Sequence, residues 1–534
     1  MKIVLILITF LFASFSTYSL EFSVIHTNDL HSRFLGDFGN SRGHYARLAT
    51  SIKNELKKNR HSLLVDAGDF FSGSLIHTLA VQASIPYFPE YQFFDALNYD
   101  AITLGNHEFD AGELGFNIML SKVRKLGARV PIISTNLDSN FKLIKKSVVK
   151  VFKSNLGHEV RVGLIGALGP DGCAVSRGTR GGIKFIGYDD KSIKERWSNL
   201  KSTLTEEVRL LKKDKVDIII LLFHGGEPED SKLAKEIKGV DIIVAGHTHE
   251  VYFKKVGKTY IAQAGSYASN LGVLKITFNE AKKKIDEVIF SEIKIDEKIE
   301  KDNKIQEQIY FHQRTVNNFL NRSVEGVSKL KNKTFIPKKN YIKAPEFFNE
   351  LGIEVTTAIA QSISRRAEDF DVYFTSLSLI RANLLKNKEY RLENIFTILP
   401  IGFDEKLKPG AKVLSFYLRF GEFKKLLQFL ELYSKLNSKF IPAFSSALDF
   451  KIKGYGIPFI NRISDIKIKG HSHLQEKSLI HIGTNSFVFK YLDFIKKKSF
   501  GIVNLIPRDA KGNPIKDVYQ YGPEYLEYAK ARLK

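Results

Sequence analysis

The 534-residue sequence has a single cysteine, Cys173, so no internal disulfide can form, and no cysteine follows the N-terminal apolar run to carry a lipid. Proline is scarce, at 14 residues, and no low-complexity tract occurs beyond short lysine runs, which excludes a disordered or linker-dominated chain. The absence of a fixed-period repeat excludes solenoids and propellers. After residue 15 no apolar run reaches the ~20 residues that a bilayer span needs, so no transmembrane span is expected once a leader is removed. Acidic residues are in deficit, with 58 Asp and Glu against 81 Lys and Arg, a net charge of +23. That excess is spread in runs such as 282–284 and 496–498, without an aromatic-interleaved basic motif or zinc module. Specific nucleic-acid recognition is therefore not expected, although the field favours an anionic substrate.

Hydrophobic residues make up 43% of the chain and aromatic residues 12%, enough for a sizeable core, and the length calls for two or more domains. Lys2, the apolar run 3–15 and the small polar stretch 16–19 together predict a cleaved leader over residues 1–19. The mature chain would be periplasmic or secreted, with core packing standing in for disulfides.

Short apolar runs at 22–26, 63–65, 101–104, 162–165, 218–223 and 242–245 alternate with amphipathic stretches at helical spacing. They predict buried strands in a layered α/β domain over 20–294. A charged segment at 295–322 without proline predicts a helix inside a linker of 295–342. Residues 343–534, with mixed patterns and turn signals, form the expected second domain.

Five motifs in the first domain each follow an apolar run and end in metal-ligating side chains. They are Asn28-Asp29-Leu30-His31, Gly68-Asp69, Gly105-Asn106-His107-Glu108, His224-Gly225-Gly226 and Gly246-His247-Thr248-His249. Loops at the carboxyl ends of strands build the crevice in layered α/β folds, so ligands far apart in sequence can converge there. Oxygen and nitrogen donors with no thiolate suit a pair of divalent cations, and Zn, Mn, Co and Fe all remain open. Asp69 is suited to bridge two cations about 3.5–4 Å apart, an arrangement that clamps a phosphoryl group and activates water. His26, inside the first strand, reads as a core residue. Gly470-His471-Ser472-His473 copies the Gly246 motif but follows a charged segment, and reads as a surface turn.

This order of motifs resembles the calcineurin-like metallophosphoesterase superfamily, and more narrowly the bacterial periplasmic 5′-nucleotidase and UDP-sugar hydrolase family. The resemblance rests on the Ile25-His26-Thr27-Asn28-Asp29-Leu30-His31 opening and the run 105–110. It implies a four-layer α/β sandwich followed by a smaller α+β domain for substrate recognition. It further implies one metal on Asp29, His31, Asp69 and His249 and another on Asp69, Asn106, His224 and His247. His107, oriented by Asp110, would then assist catalysis on a phosphoester substrate, foremost a nucleotide.

In the second domain the family's glycine-rich segment ending in Ile-Arg is here Ser376-Leu377-Ser378-Leu379-Ile380-Arg381, which keeps the arginine and loses the glycines. The family's other segments are replaced by Pro400-Ile401-Gly402-Phe403 and Tyr491-Leu492-Asp493-Phe494, and its Leu-Gly-Asn-Leu signature by Leu351-Gly352-Ile353-Glu354. Arg381, Phe403 and Phe494 are the candidate substrate-binding residues, with core packing the competing reading for both rings. The same metal chemistry on a UDP-sugar, a cyclic nucleotide or a sulfur ester is the alternative. A periplasmic binding protein without turnover is the reading of another class.

Overall fold

The structure, a computed structural model, describes residues 19–534 except 37–41, 139–140, 155–156, 190–191, 193–194, 324–326, 331, 366–368, 437–440 and 454–461, and omits the side chains of 322–323 and 493–494. The expected leader, apart from residue 19, lies outside the described residues. No helix among them is long and apolar enough to cross a membrane.

The strands, in chain order, are β1 (Ser19–Thr27), β2 (Ser62–Asp66), β3 (Ala101–Thr103), β4 (Ile132–Ile133), β5 (Ile144–Lys145), β6 (Ser147–Lys153), β7 (Glu159–Leu168), β8 (Ile218–His224), β9 (Ile242–Ala245), β10 (Val251–Val256), β11 (Thr259–Ala264), β12 (Asn270–Asn279) and β13 (Lys284–Lys294). They form two sheets, ordered β13-β12-β1-β2-β3-β4-β5 and β10-β11-β9-β8-β7-β6. All six apolar runs read from the sequence fall on these strands, the run 101–104 passing one residue beyond the end of β3. In β8 the alternation of side chains decides the layering. Ile218, Ile220 and Leu222 join Phe22, Val24 and Val65 in a core between the sheets. Ile219, Leu221 and Phe223 instead pack on Leu200, Leu204 and Leu233 of the outer helices Arg196–Lys213 and Glu227–Glu236. A strand buried on both faces reads as one continuous apolar run, as 218–223 does. On the far side of the first sheet, Ile25, Leu64 and Ile102 meet Leu48, Phe93 and Phe116 from the helices Tyr45–Lys58, Pro89–Ala96 and Gly112–Lys125. The result is helix, sheet, sheet, helix: four layers.

Through β1, β2, β3 and β4, and again through β7, β8 and β9, neighbouring strands run parallel. Their carboxyl ends therefore point the same way within each sheet. His26 sits in β1 between the sheets, fully buried, where Gly272 opposite leaves room for its ring: a Cβ there would lie 2.1 Å from Nε2. Burial holds its pKa down to about 3, so it is a neutral core residue.

Helix Asn303–Ser323 follows and packs against Tyr45–Lys58. Beyond it β14 (Val372–Ser376), β15 (Lys412–Arg419), β16 (Pro442–Phe444), β17 (Leu448–Ile452), β18 (Ile463–Ile468), β19 (Leu479–Asn485) and β20 (Tyr519–Pro523) form a mixed sheet β16-β14-β19-β15-β20 and the hairpin β17-β18. The turn after β18 holds His471, which meets Asp371 at 2.7 Å. The helix-side core of the first sheet runs on without a break into Leu351, Ile395 and Tyr525 of this second half. Cys173 is buried in that core.

Candidate metal centre

Every residue of the centre sits where a strand stops. β1 delivers Asp29 and His31, β2 Asp69, β3 Asn106 and His107, β8 His224, and β9 His247 and His249. The turns that aim these side chains inward are tight. Asp29 (φ 51°), His31 (48°), Asp69 (58°), His247 (85°) and His249 (63°) all take left-handed backbone, uncommon for residues with a Cβ and typical of functional sites.

Three groups of ligand atoms converge to within 4.8 Å of one another: Asp29 with His31 and His249, His31 with Asp69 and His107, and Asp69 with His224 and His247. Asn106 joins through Oδ1, 2.9 Å from His247 Nδ1. All seven residues named from the sequence as candidate ligands thus meet, with His31 common to the first and second groups and Asp69 to the second and third.

The donor chemistry fits divalent cations on three observations. First, Asp29 and Asp69 are essentially inaccessible, and buried carboxylates need compensating positive charge. Second, His224 donates Nδ1–H to the Ala67 carbonyl at 2.8 Å, which leaves Nε2 buried, 3.1 Å from Asp69 Oδ2 yet without a hydrogen bond. A lone pair and a carboxylate aimed at one point suit a shared cation. Burial pulls the His224 pKa down, but the Asp69 and Asp29 carboxylates outweigh it and push it up to about 10, a measure of how strongly this pocket attracts positive charge. Third, His31 points Nδ1 at the Ser72 carbonyl (3.1 Å), while its Nε2 lies 3.0 Å from His249 Nε2, so the two nitrogens face one another.

His107 lies at the edge of the cluster, its Nδ1 2.7 Å from Asp110 Oδ2. Arg381, carried by the second half of the chain, donates from Nη2 to His107 Nε2 at 3.0 Å. Of the candidate substrate-binding residues, Arg381 alone is seen at the centre. Phe403, partly buried at the margin of the core, stacks on Phe71 (centroids 6.0 Å, planes 8° apart) and touches His77. Phe494 lies in helix Leu492–Lys498, and its side chain is outside the described set. Neighbouring Tyr491 donates its hydroxyl to the Val175 carbonyl at 2.7 Å, a second tie across the two halves.

Three residues that hold the candidate ligands in place carry no role in the sequence reading. Glu108 accepts from the backbone N–H groups of Asp69 (3.0 Å), Phe71 (3.0 Å) and Gly105 (2.6 Å), pinning the β2 and β3 loops together. Asn28 donates to Asp29 Oδ2 (2.7 Å) and to the Gly265 carbonyl (2.6 Å). Asp171 lies 3.0 Å from His247 Nε2. Glu108 stands inside one of the five motifs, and Asp171 follows a predicted strand, the same signal that marks the candidate ligands.

Residues 22–251 match the family model described as calcineurin-like phosphoesterase. A bovine 5′-nucleotidase is 30% identical over 294 residues, 49% of this chain and 47% of the relative. A snake venom 5′-nucleotidase from Crotalus adamanteus is 26% identical over 424 residues, 72% of this chain and 67% of the relative. The chain thus spans about half the length of the bovine relative that it matches. Among solved structures, a 5′-nucleotidase precursor from Thermus thermophilus shares the fold with TM-score 0.72 at 18% identity, covering 96% of each chain. A sulfate thiohydrolase of Thermus thermophilus shares it at 0.66 and 12% identity, over 96% of this chain and 93% of the other.

Proposed function

Residues 22–251 belong to the calcineurin-like phosphoesterases, and from that premise we propose that the chain hydrolyses phosphate monoesters, nucleotides foremost, at a pair of divalent cations. The observation that supports this most directly is the sharing of Asp69 between a group with His31 and His107 and a group with His224 and His247, with Arg381 reaching His107 from the second half of the chain. Export, read from residues 1–19, is part of the proposal.

Asp29, His31, Asp69 and His249 would hold one cation, and Asp69, Asn106, His224 and His247 the other. When bound, the pair supplies Lewis acidity toward the phosphoryl group and a water deprotonated near neutral pH. The protein's own groups do the rest. Asp110 fixes the His107 ring through Nδ1, so Nε2 is the atom that meets substrate, where it stabilises developing charge or passes a proton to the leaving oxygen. The Arg381 guanidinium, already at that nitrogen, offers a planar fork to the phosphoryl oxygens.

A second reading, the same chemistry on a UDP-sugar, a cyclic nucleotide or a sulfur ester, is favoured by Phe403. Its ring, partly buried, is engaged by Phe71 and His77, which are protein rather than ligand. Phosphate release with Mn or Zn across AMP, UMP, ATP, a UDP-sugar, a 2′,3′-cyclic nucleotide and an aryl phosphate separates the two. Nucleotide selectivity supports the first reading, and nucleoside monophosphates as the poorest substrates support the second. A folded Asp69→Ala variant with full activity would refute both.

A further inference from the structure

His247 differs from its neighbours in how its ring is presented. His31 and His224 turn Nδ1 outward onto backbone carbonyls and face the cluster with Nε2. In His247 the ring is reversed: Nδ1 lies 2.9 Å from Asn106 Oδ1, inside the cluster, while Nε2 lies 3.0 Å from Asp171 Oδ2. An imidazole offers a lone pair at Nδ1 only when its proton sits on Nε2, and an ionised carboxylate can only accept. The Asp171 carboxylate therefore selects the tautomer that turns a lone pair inward.

Asp171 is held in place for this. It lies at the start of helix Pro170–Ser176, directly after β7. The Gly169 N–H donates to the carbonyl of His224, another ligand of the same group (2.9 Å). The Asp171 N–H donates to Glu229 Oε1 on helix Glu227–Glu236 (3.0 Å). A side chain at Gly169 would be driven into Glu229, its Cβ 2.2 Å from Oε2, so the loop runs close by necessity. The Asp171 side chain itself is 44% exposed, so removing it opens no core.

We propose that Asp171 is a positioning residue that fixes His247 as an Nδ1 ligand and so sets the affinity of the second cation, the one shared by Asp69, Asn106, His224 and His247; this rests on the metal-pair reading above. Carboxylate partners of ligating histidines typically contribute 10–100-fold in metal affinity.

The test is calorimetric titration of the chelator-stripped full chain with Mn²⁺, alongside thermal unfolding without metal. Wild type is expected to take up two equivalents. Asp171→Ala is expected to bind one equivalent as wild type and the other about 10–100-fold more weakly, with the metal-free midpoint unchanged. Asp171→Asn, whose carbonyl oxygen accepts the same N–H, should recover most of the loss. Two equivalents bound as tightly by Asp171→Ala as by wild type would overturn the proposal. Loss in both equivalents with a lowered metal-free midpoint would also overturn it, because the role would then be structural. A wild-type chain that takes up no Mn²⁺ would instead remove the metal-pair reading itself.

Discussion

Gly105→Ala isolates what the short β3 loop does for Asp69. Gly105 does not have left-handed φ, so alanine can follow the backbone without strain. The added Cβ, however, would lie 2.1 Å from Asp69 Oδ1 and 2.6 Å from Asp69 N, where ordinary contact begins at 3.4 Å. The β2 loop cannot swing clear as a whole, because Glu108 ties its Asp69 and Phe71 N–H groups to that of Gly105. The carboxylate must give way by about 1 Å, and misplacement on that scale costs roughly 10²-fold in rate, or about 2.7 kcal/mol of transition-state stabilisation. The proposed metal pair assigns Asp69 to both cations, so both Mn²⁺ equivalents should weaken together, unlike in Asp171→Ala. The assay is kcat/KM on the best substrate of the panel, with metal titration. Gly178→Ala serves as control, its nearest neighbour being Lys490 at 3.8 Å. Activity of Gly105→Ala within about threefold of wild type, with both cations bound normally, would refute the reasoning that close approach places Asp69.

Arg381→Ala should lower kcat/KM by about 10–100-fold on phosphate monoesters without altering metal uptake, and Arg381→Lys should not restore it, since an ammonium lacks the planar fork; unchanged kinetics would place Arg381 outside the site. Mn²⁺ at about 100 times its Kd should stabilise the chelator-stripped protein by about 2.7 kcal/mol in denaturant titrations, and Asp69→Ala should abolish that gain. Far from the metals, burial raises the Glu524 carboxyl from 4.5 to about 7, although Tyr373 (2.7 Å) and Asn485 (3.0 Å) donate to it. The folded state then holds this proton more tightly than the unfolded state. Its contribution is complete below pH 4.5 and is lost as pH rises through about 7, worth about 3 kcal/mol in all. Glu524→Gln should flatten the fall in stability between pH 5 and 8, measured by chemical denaturation; an unchanged slope would assign it to other groups.

The layers were legible because burial on both faces makes a strand such as β8 an unbroken apolar run, and the convergence of the candidate ligands was legible because each motif stands at the end of such a run. What escaped is long-range. Nothing local tells that Glu108 binds three N–H groups from two loops, or that Asp171 reaches a histidine 76 positions away. Phe403 illustrates the same limit. Its neighbours Phe71 and His77 come from the other half of the chain, so whether its ring stacks on a base or on protein is decided by how the halves meet. The mixed order of the second sheet is equally invisible to periodicity, because its strands pair across intervening helices.

The left-handed turns at Asp29, His31, Asp69, His247 and His249 are disfavoured for residues with a Cβ, even for Asp and His, which tolerate them best, at about 1–3 kcal/mol each. Together they approach the whole net stability of an ordinary domain. The turns are therefore clamped shapes, and the inter-sheet core behind them is the clamp. Loosening that core at a distance, for instance with Val24→Ala or Leu222→Ala, should let the turns relax before the domain unfolds. Metal affinity would then act as a strain gauge for packing, falling in variants whose secondary structure still looks intact.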